Sequence, residues 1–81
     1  MFVPSQIRAA RAALGWTVER FAEETGVTRQ TIAKIELSRS FEGLRRSTLK
    51  KLSTSLEAQG IEFITAPDGS PGIVIRSQPI V

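Results

Sequence analysis

Residues 17–36, TVERFAEETGVTRQTIAKIE, decide how this chain folds. They read as two short helices meeting at a tight turn. Ala22 is small enough to sit where two crossing helices touch. Four residues later, Gly26 can take the positive φ that ends one helix and redirects the chain. Ile32 and Ile35 follow at helical spacing and would pin the second helix to a core. Each helix carries its own start signal. Thr17 and Thr28 are good N-caps, and the residues before them, Trp16 and Val27, can staple to Phe21 and Ile32 inside the helices.

Upstream of this pair, after a short arm over residues 1–4, Ser5 is expected to cap a first helix running to about Leu14. Ile7, Ala10 or Arg11, and Leu14 would share one face, and Gly15 would end it. Downstream, residues 37–46 (LSRSFEGLRR) are loop-like. Ser47 is expected to cap a fourth helix whose apolar stripe is Leu49, Leu52 and Leu56, stopped by Gly60. The chain then changes character. Residues 61–65 and 72–76 are β-branched and apolar, flanking the turn-rich PDGSP of residues 67–71. They predict a β-hairpin, followed by a short tail from Ser77. The expected fold is mainly α, with four short helices over residues 1–60 and a C-terminal β-hairpin and tail over residues 61–81.

An 81-residue chain is one small domain, able to bury only roughly 60–65% of its unfolded surface, and such a domain gains from association. Cysteine and histidine are both absent, which removes disulfides, thiolate metal sites and the commonest general base. The carboxylates form no nucleophile–base pattern or metal cluster, and no glycine-rich phosphate loop is present. The expectation is a non-enzyme without cofactor or metal. Apolar runs fall far short of the ~20 residues that cross a bilayer, and no export signal opens the chain. A soluble, cytoplasmic protein is expected.

The net charge of +3 is unevenly spread. Between Thr28 and Lys51, seven basic residues face two acidic ones, whereas the remainder holds four basic and six acidic residues. This stripe starts on the second helix of the pair, the pattern of a phosphate-binding face. Arg29 and Gln30 lie in that helix's first turn, where a helix in the major groove meets base edges, and Lys34 follows one turn on. Arg can pair with guanine and Gln with adenine. Thr31, nearby, can touch a thymine methyl or a phosphate. Thr17 and Thr28 are candidate phosphate contacts beside helix N-termini, with capping alone as the alternative. Arg39 and Ser40, directly after the helix, and Arg45 and Arg46 complete the backbone-contact candidates.

With these flanks in place, residues 5–60 resemble the phage Cro and repressor type of helix-turn-helix proteins, the xenobiotic-response-element family. The resemblance rests on Ile7 and Arg11, Leu14-Gly15-Trp16-Thr17, Phe21-Ala22, Gly26-Val27-Thr28, Ile32, Ile35-Glu36 and Thr48-Leu49. It implies short helices around one core, the third presented to the major groove, and dimeric binding of double-stranded DNA at palindromic operators. Arg29, Gln30 and Lys34 match the family's base-reading positions. Arg11 and Glu36 match positions that pair across the helical body. The chain departs from the family at Ser38, where a glycine is frequent, and in a longer loop through Phe41-Glu42-Gly43-Leu44.

The function implied is a sequence-specific DNA-binding regulator, a repressor of a phage or mobile-element switch. The alternatives are an antitoxin that also binds a toxin, and a protein-interaction adaptor on the same fold. The hairpin lies outside the resemblance. Phe63, Ile64, Ile73, Val74 and Ile75 give both its faces apolar residues, which predicts a homodimer formed through it.

Overall fold

Helix starts and stops follow from a few residues at the ends of each segment. The computed structural model describes residues 3–76. Its elements are α1 (Pro4–Ala13), α2 (Val18–Thr25), α3 (Arg29–Leu37), α4 (Arg46–Ala58), β1 (Ile61–Thr65) and β2 (Pro71–Ile75). Met1, Phe2 and the tail from Ser77 lie outside the described residues.

The central pair forms as the sequence implies. Thr17 Oγ1 accepts the Arg20 amide at 3.0 Å, and Thr28 Oγ1 accepts the Thr31 amide at 3.3 Å. Gly26 sits at φ 75°, in the left-handed region, and its amide closes α2 by donating to the Ala22 carbonyl at 2.9 Å. Thr25 completes the turn: its hydroxyl donates to the Phe21 carbonyl at 2.8 Å, and its oxygen accepts the Val27 amide. Trp16 and Phe21 meet with ring centroids 6.0 Å apart.

Two expected caps are displaced. Ser5 is an exposed residue of the first turn of α1, and Val3 takes the cap position. Pro4 moves the start because proline suits the first helical position, where its missing N–H has no partner to lose. Gln6 then supplies the reciprocal bond, its Oε1 accepting the Val3 amide at 2.7 Å. Ser47 is likewise inside α4, whose cap is Arg45 without a side-chain bond. At the end of α3, Ser38 does the work expected of glycine by another route. It stays extended, and its hydroxyl donates to the Lys34 carbonyl at 2.7 Å. The positive φ appears later, at Gly43, where Leu44 N–H donates to Phe41 O and the side chains of Phe41 and Leu44 pack on the core.

The core is built from one stripe of each helix. Ile7, Phe21, Ile32, Ile35, Leu52 and Leu56 are fully buried, each contributing about 1.5–3 kcal/mol. Antiparallel β1 and β2 pair Ile61 with Ile75, Phe63 with Ile73 and Ile64 with Gly72. Directly opposed residues share a face, so Ile61, Phe63, Ile73 and Ile75 form one side and Glu62, Ile64 and Val74 the other. Ile61 is buried in the core, and Phe63 and Ile73 pack against it. The hairpin therefore seals the helical body. Gln6 fastens it: this buried side chain donates through Nε2 to the carbonyls of Ile64 (3.1 Å) and Gly72 (2.7 Å).

Candidate nucleic-acid interface

The exposed face of α3 is set by what its other face must bury. Ile32, Ile35 and Glu36 point inward, while Arg29, Gln30 and Lys34 remain exposed. Helical spacing alone produces this division. Thr31 differs from its neighbours. It is half-buried, and its hydroxyl accepts a hydrogen bond from Thr28 Oγ1 at 2.9 Å.

Glu36 is the unusual inward residue, only 8% exposed. Arg11 answers it with two parallel bonds, Nε to Oε2 at 2.7 Å and Nη2 to Oε1 at 2.9 Å. The third nitrogen, Nη1, donates to the Trp16 carbonyl at 2.8 Å. One guanidinium thus ties α1 to the end of α3 and to the segment entering α2. The pair predicted from sequence exists as a two-pronged, largely desolvated ion pair. The Glu36 hydrogen bonds hold the Arg11 guanidinium above its ordinary range, against the opposing effect of burial, with the charges of Glu36 and Glu19 adding to it. Among the described residues, no buried side-chain nitrogen or oxygen lacks a partner.

The remaining basic residues are spread over several surfaces. Lys34 and Arg45 line a shared hollow beside α3, together with Thr31, Gly43 and Thr48. Arg39 and Ser40 are exposed in the loop that follows, with Ser40 Oγ accepting the Glu42 amide. Arg46 and Lys50 share a second shallow surface on α4. Lys50 and Lys51 line another hollow, between α4 and the end of α2. The sequence-level charge run is thus distributed around α4 as well as along α3, because consecutive helical residues point in different directions.

Three residues that the structure gives a part were not singled out by the sequence. Leu37, the last residue of α3, is 81% exposed. Neither the bond from the Val3 amide to Gln6 nor the reach of Gln6 to the hairpin was read from the sequence. Glu19, an ordinary exposed carboxylate by sequence, lies 3.2 Å from the Nε of Arg29. They are ten positions apart in the chain, and the turn at Gly26 brings them together.

No group of three or more potential metal ligands occurs among the described residues, and none of their helices is long and apolar enough to cross a membrane. A model of the helix-turn-helix family, of the Cro/C1 and xenobiotic-response-element type, matches residues 7–57. No curated protein matches the chain.

Proposed function

The chain belongs to the Cro/C1-type helix-turn-helix family of DNA-binding regulators, and we propose that it is a dimeric, sequence-specific repressor acting on a palindromic operator. The observation that carries the reading is the outward face of α3. Arg29, Gln30 and Lys34 are all exposed on a helix whose opposite face is locked into the core by Ile32, Ile35 and the Glu36–Arg11 pair. Such a helix presents base-reading chemistry on a rigid support. A helix made to dock a protein would expose apolar anchors along that face instead.

In this reading Arg29 and Gln30 contact base edges at the N-terminal end of α3, and Lys34 reaches further along the groove. Thr31, with its hydroxyl already engaged by Thr28, presents its methyl group. The N-termini of α2 and α3, marked by Thr17 and Thr28, approach phosphates, and Arg39, Ser40, Arg45 and Arg46 extend that contact. Two copies joined through the hairpin would hold two such helices about 34 Å apart, as adjacent half-sites require. A compact regulator with these parts suits a phage or mobile-element switch.

Selection from a random duplex pool at fixed salt tests the proposal. Enrichment of an inverted repeat, with half-site centres about one helical turn apart, is expected. Recovery of sequences no better bound than the starting pool would refute it.

A further inference from the structure

Arg29 carries an ion pair that base reading by itself does not require. Its Nε approaches Glu19 Oε1 at 3.2 Å, and both side chains are more than half exposed. A pair so exposed adds little to stability. It also places a carboxylate beside the face assigned to DNA, where phosphates repel it. What such a contact can supply is geometric: it biases the rotamers of a long, flexible cation. Contact through Nε leaves a guanidinium's Nη1–Nη2 edge available for the forked contact with O6 and N7 of guanine.

Glu19 is itself held. It lies in the first turn of α2, where a negative charge is favoured by the helix dipole. Its charge also reaches Arg11, the half-buried guanidinium that ties α1 to α3 and to the segment entering α2. The order Glu36, Arg11, Glu19, Arg29 therefore alternates in sign from the buried end of α3 to its exposed beginning.

Building on the base-reading assignment of α3, we propose that Glu19 is a positioning residue for Arg29. It fixes the guanidinium for guanine and exchanges general DNA affinity for selectivity at that one base pair. The carboxylate does not touch the base. It acts through Arg29.

The test uses the full chain and its Glu19→Gln, Arg29→Ala and doubly substituted forms. Each is put through duplex selection, then titrated against the selected site, the same site with the guanine replaced, and a random duplex. Circular dichroism monitors the fold. Glu19→Gln should lower the guanine preference at a single position roughly fivefold while tightening binding to the random duplex. Arg29→Ala should abolish that preference. Adding Glu19→Gln to Arg29→Ala should then tighten binding without any further change in preference. An unchanged guanine preference in Glu19→Gln overturns the proposal, as does an equal change when Arg29 is absent. If the unaltered chain enriches no sequence, the base-reading assignment falls and takes this proposal with it. If the unaltered chain and Arg29→Ala behave as expected but Glu19→Gln does not, only the role of Glu19 is lost.

Discussion

A carboxylate at the end of a helix proposed to face DNA is tolerable when a cation turns it inward, and Arg11 does so for Glu36. Both carboxylate oxygens and all three guanidinium nitrogens are engaged, so removing either residue leaves charge and polar groups unpaired in a desolvated site. Arg11→Met or Glu36→Leu should each cost roughly 3–5 kcal/mol in denaturant unfolding. The double substitution should cost much less than the sum, and small additive losses would show that both charges are simply solvated. The pH dependence has a definite sign. Because Arg11 is held above its ordinary range, its contribution is complete below that range and is lost only as pH rises through the raised value, so neutral conditions leave it intact. The exposed residues obey a different logic. Gln30→Ala should relax preference at one base position, whereas Arg39→Ala should weaken binding to every sequence and reduce the salt slope by about one contact. Equal loss of base preference from both would contradict this division.

At the scale of elements, two small devices set geometry. Gly26 lies at φ 75° with open space around it, so an added Cβ meets no neighbour and any penalty comes from the backbone alone. Gly26→Ala should cost about 1 kcal/mol, and Gly26→Asn less, measured as shifts of the unfolding midpoint. Equal effects would mean that the turn relaxes out of the left-handed region. The second device is Gln6, which joins the start of α1 to both strands. Gln6→Met removes these bonds while keeping the side chain's length, at a net cost of about 1–2 kcal/mol. Amide exchange should quicken in β1 and β2 far more than in α2 and α3. Uniform loss of protection would place Gln6 in the global fold instead. The hairpin turn has its own acid sensitivity. The backbone N–H of Ser70, then its side chain, stabilises the Asp68 carboxylate and holds it below the ordinary 3.8. That contribution is present above the ordinary value and lost as pH falls through the lowered one.

For the whole molecule, the hairpin seals the core, and in the proposed dimer it would also have to meet a second copy. Ile61, Phe63 and Ile73 are committed to the chain's own core, leaving Ile64 and Val74 on the opposite face, and Ile75, 56% exposed at the end of the core-side face, as the apolar residues open to a second copy in the proposed dimer. Deleting residues 61–81 would uncover the core as well as remove the proposed interface. Substitutions at the outer positions separate the two. Val74→Lys with Ile75→Lys should leave the helical signal unchanged, shift sedimentation toward monomer, and weaken binding to a two-half-site operator far more than to one half-site. A variant that still sediments as a dimer would move the interface elsewhere, most plainly to α4.

The sequence by itself determined the helical body. Caps at Thr17 and Thr28, the glycine at 26 and the apolar spacing of Ile32 and Ile35 act within one or two turns, and such local preferences persist whatever surrounds them. The hairpin was legible for the same reason, since two β-branched runs flank a strong turn signal. The Arg11–Glu36 pair came from resemblance to a family and not from local pattern, because its partners are 25 residues apart. Tertiary structure alone decided that Gln6 reaches across to Ile64 and Gly72, that Ile61 closes the core, and that Glu19 meets Arg29. Each of these contacts joins elements whose separation along the chain says nothing about their distance in space. It is set by how the helices cross and where the hairpin folds back, which depends on packing the whole core at once.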